Sequence, residues 1–301
     1  RIHKKTECLS SCGRAKEREK ALIVSELRQR YPLKDLLKLS GIARSTYYYH
    51  IKQQDKDKYA GEKADIVDIF DKNKGIYGYR RITEQLKKKG YSINHKTVLK
   101  LMKGLNLRGK QSKNGKYHSY KGEVGKVADN ILKRDFTAEK PFEKLTTDVT
   151  EFKVCNDKVY LSPVLDLFNR EIISYSISLS PNLQQVRDML TSLFAKLPDT
   201  ARPIFHSDQG WQYQHAEFQR LLAEHNITQS MSRKGNCMDN GAMENFFGRL
   251  KVEMFYGEEF ESVEDFIHAL DDYIYYYNND RISLKLKGMS PVQYRTHSQA
   301  S

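Results

Sequence analysis

Asp148, Asp208 and Glu244 are the side chains of this chain best placed by type and spacing to do chemistry. Asp148 interrupts KLTTDVTEFKV (144–154), an alternating, β-branched segment. Asp is depleted in strands because its short polar side chain competes for backbone hydrogen bonds. Asp208 follows the apolar run Pro203-Ile204-Phe205, where a strand ends and hands its last side chains to a loop. Glu244 falls in the first turn of a segment with the helical spacing Met243, Phe246, Phe247, Leu250, Met254, and 35 residues separate it from Asp208. Taken singly, a first-turn Glu suits a helix dipole, Asp-Gln-Gly suits a turn, and Asp148 suits a solvated edge strand. Together, carboxylates delivered by a strand, a strand end and a helix start meet the needs of a two-metal site, since Mg²⁺ takes oxygen ligands and keeps positions open for phosphate and water.

From about Pro141 to Arg295 the chain resembles the catalytic (OrfB-type) subunit of bacterial transposases of the insertion-sequence-three type, relatives of retroviral integrases in the DDE superfamily. The resemblance rests on TTDVTEF around Asp148, HSDQGWQY around Asp208, GNCMDNGAMENFFGRLK around Glu244, YLSPVLDLFNREIISYSIS (160–178) and YYNNDRISLKLKGMSPVQYR (276–295). It implies that Asp148, Asp208 and Glu244 are both catalytic residues and metal ligands for two Mg²⁺ ions, with Mn²⁺ as a substitute. Lys251, seven positions after Glu244, lies two helical turns on and near the same face, placed to hold a phosphate of terminal DNA.

Elements that could position these acids can be traced. Strands are expected at 144–154, 158–167, 171–179, 203–207 and 227–231, with helices at 183–197, 215–225, 241–256 and 263–279. Three hairpin-joined strands followed by alternating helices and strands is the order of the ribonuclease-H-like fold, an α/β architecture in which the first and fourth strands are neighbours. That adjacency would bring Asp148 to Asp208.

Charge divides the chain. Residues 1–140 hold 35 Lys and Arg against 16 Asp and Glu, whereas residues 141–301 hold 16 against 22. Between Gln85 and Gly122 eleven basic residues occur and no acidic one. A single-sign stretch of this kind repels itself unless a polyanion answers it, so the N-terminal half is expected to meet double-stranded DNA.

That half reads as all-α, in two helix-turn-helix units. In the first, a helix over 15–30 carries the seam Leu22, Ile23, Leu27, a second from Pro32 turns Leu33, Leu36, Leu37 and Leu39 inward, and Gly41-Ile42 makes the turn. A third helix, 44–53, offers Arg44, Ser45, Thr46 and Tyr47 to DNA; a three-helix unit with no groove contact is the other reading. In the second unit a helix over 79–90 precedes one over 95–107 capped by Asn94, with His95, Lys96, Thr97, Lys100 and Lys103 on its open side. The Lys- and Gly-rich stretch that follows, including Lys110, Lys113 and Lys116, is expected to track DNA as a linker. The expected domains are 1–55, 56–110, a linker 111–140, a catalytic domain 141–279 and a tail 280–301.

Other classes fit less well. The chain has no H-x-x-R or H-x-H of tyrosine-dependent DNA enzymes and no G-x-x-x-x-G-K-[ST] phosphate loop. Four scattered cysteines lack paired spacing, and His3, Cys8 and Cys12 lack a fourth zinc ligand. No apolar run is long enough for a membrane helix and the basic N-terminus is not followed by a secretory core, so no membrane partner is expected; the resemblance implies a bacterial cytoplasmic, nucleoid-associated protein. A DNA-binding regulator would leave the three acids without a task; a simple ribonuclease-H-like hydrolase would not join its product to a new strand. The partners expected are the element's terminal repeats, target DNA, a second copy in a dimer or larger assembly, and the upstream helix-turn-helix subunit that the resemblance implies.

Overall fold

The computed structural model describes residues 14–54, 57–110, 127–133, 135–233 and 240–299. Two compact units divide at Val67, Arg1–Val67 and Asp68–Ser301.

In the first unit, helices α1 (Arg14–Leu27), α2 (Leu33–Ser40) and α3 (Arg44–Gln54) enclose a small core of Ala21, Val24, Leu36, Ile42 and Tyr47. Gly41 caps α2 in the left-handed region at φ 68°, where a Cβ would be strained. Two expectations are corrected. Tyr47, expected on the DNA side of α3, is 1% exposed in this core, because its helical position shares a face with Ile51. Leu39, expected inward, is exposed, since Leu36 and Ser40 take the buried positions of α2.

The second unit begins within α4 (Ala60–Lys72) and continues through α5 (Tyr79–Lys88) and α6 (His95–Gly104). Asn94 caps α6 by accepting the Lys96 N–H at 2.8 Å. A six-stranded sheet follows: β1 (Lys144–Thr147), β2 (Thr150–Val154), β3 (Asp157–Asp166), β4 (Ile172–Ser178), β5 (Ile204–Ser207) and β6 (Thr228–Met231). β3 pairs antiparallel with β1 and β2 along one edge and with β4 along the other, while β1, β5 and β6 run parallel.

One strand was expected over 144–154, and two short ones are found with Asp148 at the break. The pairing register with β3 is unchanged across it, Thr147 facing Val164 and Thr150 facing Leu161. Pro163 therefore stands opposite Asp148, and a proline has no N–H to give the ladder.

Helices cover both faces. Leu145, Val164 and Phe205 pack under α7 (Leu183–Phe194) and α9 (Ala216–Glu224), the latter preceded by the short α8 (Trp211–Gln214). Phe152, Val154, Val159 and Leu161 pack against α10 (Gly241–Leu250) and α11 (Val263–Asn279). α10 runs into a π-helical turn, Lys251–Phe255, so the helix expected over 241–256 changes pitch at Lys251. Residues 280–299, expected as a tail, hold a 3₁₀ turn (Leu284–Leu286) and α12 (Pro291–Gln299), with Arg281, Ile282 and Leu286 buried.

The π turn aims Glu253 into a buried junction with the helix-turn-helix. Its carboxylate accepts from Arg281 Nε at 2.7 Å and Nη2 at 2.6 Å, from Tyr273 Oη at 2.9 Å and from Arg81 Nη1 of α5 at 3.3 Å. Tyr77 Oη accepts the Ile282 N–H at 3.0 Å beside it. So full a set of charge-assisted bonds holds the Glu253 carboxyl below its ordinary range despite burial.

Candidate active site

The parallel register sets Thr146 opposite His206, each two residues before an acid, and the charge of Asp208 acts on the Asp148 carboxyl. Asp148 is 8% exposed, and its Oδ1 accepts the Val149 N–H at 2.8 Å. Asp208, one residue past β5, accepts the Gly210 N–H at 2.9 Å. A Cβ on Gly210 would meet Asp208 Oδ1 at 3.0 Å and the Gln212 side-chain amide at 2.6 Å, so a larger residue here would have to displace the end of the Gln212 side chain.

The third acid is delivered by an anchored helix. Asn240, buried at the start of α10, donates through Nδ2 to the Thr147 carbonyl at 3.1 Å, and its Oδ1 accepts from Thr146 Oγ1 at 2.6 Å. Glu244 lies one turn further along the same face. Its half-buried carboxylate takes no hydrogen bond or ion pair among the described residues.

Electrostatics bind the group together. Burial, then the charges of Asp208 and Glu244, push the Asp148 carboxyl well above the usual carboxylate range, against the Val149 N–H and Lys251, which favour its charged form. Burial also raises Asp208 and Glu244. Lys251 is half-buried, with Nζ 5.3 Å from the centroid of the Phe152 ring, and burial lowers its pKa while Glu151 and Asp148 oppose that shift. Tyr213 is fully buried with an unpartnered hydroxyl, and burial followed by Asp148 and Asp208 raises its pKa.

Among the described residues no three His, Cys, Asp or Glu side chains enclose a metal position. The donor set nonetheless fits a hard divalent cation: two adjacent carboxylates, each with one oxygen engaged by a backbone N–H, beside a third acid without a partner. Mg²⁺ is commonly held by one or two carboxylates, its other positions left to water and phosphate.

Behind Asp208, the buried His206 ring joins Ser230 Oγ at 2.9 Å and Ser232 Oγ at 3.2 Å, tying β5 to the chain that leads out of β6. The sequence singled out neither His206 nor Tyr213, because a buried imidazole and a buried phenol have no periodic signature. Nor does the sequence single out Asn240, whose place four residues before an acid was the available signal.

The DNA-facing candidates are spread more widely. His95, Lys96, Lys100 and Lys103 are exposed on α6 and Thr97 is half-buried, with His95 stacked on Tyr79 at 6.1 Å. Arg44 and Ser45 are exposed and Thr46 half-buried in the first unit. Lys110 is engaged within the protein, donating to Glu258 at 2.7 Å and to the Glu253 carbonyl at 3.3 Å. Lys113, Lys116, the cysteine-bearing N-terminus and residues 234–239 lie outside the described residues.

Comparison with known proteins accords with this architecture. Integrase core domain models match residues 138–237 and 244–298, and an HTH-like domain model matches 56–115. InsK, assigned as a transposase of insertion sequence element IS150 in Escherichia coli (strain K12), is 52% identical over 277 residues, covering 92% of this chain and 98% of that protein. The transposase InsF of IS3A from the same organism is 31% identical over 287 residues, covering 93% and 100%. Among solved structures, the HTLV-2 integrase catalytic core domain in complex with magnesium aligns at 17% identity and a TM-score of 0.39, over 52% of this chain and 98% of that one.

A helix-turn-helix-like segment ahead of an integrase core of the ribonuclease-H-like type defines a transposase-class protein. The chain belongs to the IS3 family of insertion-sequence transposases, the group that includes the IS150 and IS3 proteins.

Proposed function

We propose that this transposase binds the terminal repeats of its element, cleaves a 3′ end by metal-dependent hydrolysis and joins that end to another DNA strand by direct transesterification. The observation that carries this reading is the buried pair Asp148 and Asp208, raised by burial and, at Asp148, by mutual repulsion, with Glu244 brought up by a helix pinned to β1. Carboxylates that repel one another in a buried site mark it as functional, and a divalent cation is the ligand that would answer all three.

In this reading Asp148, Asp208 and Glu244 hold two Mg²⁺ ions, and Mn²⁺ substitutes. When bound, the ions would neutralise the nonbridging oxygens and activate the attacking water or 3′-hydroxyl. The chain's own residues do the positioning. Asn240 sets the separation of Glu244 from Asp148, the Gly210 N–H orients the Asp208 carboxylate, and Lys251 meets a phosphate of the terminal strand, leaving the Phe152 ring as it does so. No protein nucleophile is required.

Residues 1–55 and 56–110 serve as DNA-binding units; of the expected linker 111–140, the stretch from 127 on packs on the catalytic domain instead, with Leu132 buried in its core and the Ile131 N–H donated to Ser230 Oγ at 3.0 Å. α6 reads the terminal repeat with His95, Lys96 and Thr97, while Lys100, Lys103 and, in the first unit, Arg44, Ser45 and Thr46 contact DNA around it. Two ends processed together call for a dimer or larger assembly. The upstream subunit of the same element is a further partner.

The test is incubation of the full chain with labelled candidate element ends and Mg²⁺, scored for a nicked strand and a joined product. Nicking without any joined product would reduce the protein to a nuclease, and neither product from any end sequence would sink the reading.

A further inference from the structure

The helix that carries Glu244 has a second, differently equipped side. Gly241, Ala242, Asn245, Phe246 and Arg249 of α10 form one wall of a cavity of about 530 Å³, closed by the β3–β4 turn and the segment after α11. Those five positions form a continuous helical stripe whose centre lies roughly 130° around the helix from Glu244 at 100° per residue. The cavity is therefore separate from the carboxylate site although it shares a helix with it.

Its charge runs against its surroundings. Residues 141–301 are net acidic, yet no Asp or Glu is among the lining residues, which include Arg170, Arg249 and Lys285. Arg281 also lines it but is neutralised by Glu253. Arg249 and Lys285 have no carboxylate partner among the described residues, and Arg170 donates only to the Phe136 carbonyl at 3.3 Å. Burial, and further down the Arg249 charge, hold the Arg170 guanidinium below its ordinary value, against the opposing charges of Tyr277 and Asp166. Half-buried like charges in ion pairs with no carboxylate are unfavourable until an anion arrives, and the planar guanidinium fork matches paired oxygens of a phosphate or a carboxylate.

The rest of the lining selects between anions. Phe168 and Tyr294 stand as a tilted pair with centroids 5.6 Å apart, and Asn245 adds an exposed amide on the α10 wall. Aromatic faces beside guanidinium groups suit an unpaired nucleobase with its phosphate, whereas an acidic peptide has no use for the rings. The volume lies within the range of small-ligand sites.

We propose that this cavity takes one unpaired nucleotide of a DNA strand, its phosphate on Arg170 and Arg249 and its base against Phe168 and Tyr294. This rests on the reading of the chain as a DNA strand transferase. It adds a holding site for a strand that is not at the carboxylates.

The test uses the full chain without divalent metal, so that loss of catalysis does not enter it. A short single-stranded oligonucleotide bearing 5-iododeoxyuridine is bound, photo-crosslinked and mapped by mass spectrometry, with crosslinks expected on Phe168 or Tyr294. The double change Arg170→Gln with Arg249→Gln should weaken single-strand binding by about tenfold or more, since charge-assisted forks are lost, with duplex binding changed by less than about twofold. Lys285→Gln, an exposed change that spares the fold, should weaken it in the same direction. Asp148→Asn should leave it unaltered, so a failed nicking assay and a failed crosslink are separate results. Crosslinks confined to the basic N-terminal half, or equal binding of an abasic strand, would overturn the inference. So would displacement by polyglutamate with no dependence on the base, which would give the cavity to an acidic protein segment.

Discussion

Asn240 Nδ2 donates to the Thr147 carbonyl at 3.1 Å, one residue before Asp148, and this bond fixes where α10 starts relative to β1. Both groups are buried, so neither can exchange the bond for water. Asn240→Ala should therefore cost about 1–3 kcal/mol of stability by leaving the carbonyl unpaired. It should lower strand nicking by more than about tenfold, because Glu244 loses its register with the other acids. Thermal unfolding and a nicking assay below the midpoint separate the two effects; full activity in a folded variant would make Asn240 a cap and nothing more.

Asp148→Asn, Asp208→Asn and Glu244→Gln should each remove nicking and joining while changing duplex affinity little. Each keeps size and removes a charge that the proposed cations need, and the losses should not add, since one broken site suffices. Substantial turnover in any single variant removes that residue from the site. Lys251→Ala should impair cleavage more than total affinity, because one phosphate contact among many sets register rather than binding strength.

The acid pair makes a pH prediction whose sign is opposite to the usual acid denaturation. Folded-state values of Asp148 and Asp208 lie above 3.8, so their stabilising contribution is complete below that value and is lost as pH rises through the raised folded values. Metal-free wild type should lose thermal stability relative to Asp148→Asn as pH climbs. Mg²⁺ should restore it most at the alkaline end, where protons no longer compete for the carboxylates. A difference between the two proteins that is flat with pH would show that the carboxylates are not strained by charge.

Glu253 tests how the helix-turn-helix is held. Glu253→Gln leaves Arg281 buried without its counter-charge, and breaking such a pair from one side costs about 3–5 kcal/mol. Denaturant unfolding should show that loss, with earlier proteolysis of the 68–110 segment. The effect on DNA end preference should be indirect. Unchanged unfolding would mean that the junction is held by Tyr77 and the apolar contacts alone.

On α6, changing His95, Lys96 and Thr97 to Ala should reduce preference for the element's own end, whereas Lys100→Ala and Lys103→Ala should weaken all duplexes alike and lower the salt slope by about 0.9 per lost phosphate contact. Lys110→Ala belongs to a different group, since its ammonium is engaged by Glu258, and it should loosen the junction before it alters DNA affinity. If the triple change leaves end preference intact, α6 is structural and another element reads the repeat.

Local chemistry was legible in the residues themselves. Asn94 as a helix cap, the apolar spacing of Met243, Phe246 and Leu250, the out-of-place Asp148 and the charge split at about residue 140 all act over a few neighbours or depend on composition alone. Short-range signals of that kind survive in a one-dimensional reading because helix and strand periodicity impose them. Pairings across long stretches of chain do not. That Pro163 opens the ladder opposite Asp148, that Tyr47 is core rather than surface, and that Arg281 and Arg81 converge on Glu253 follow from how strands register and helices pack. The residue types of the carboxylate site were set by the sequence. Its geometry was decided by the parallel contact of β1 with β5 and by one buried amide at the head of α10, because a side chain's partners at a distance depend on which surfaces exclude water together.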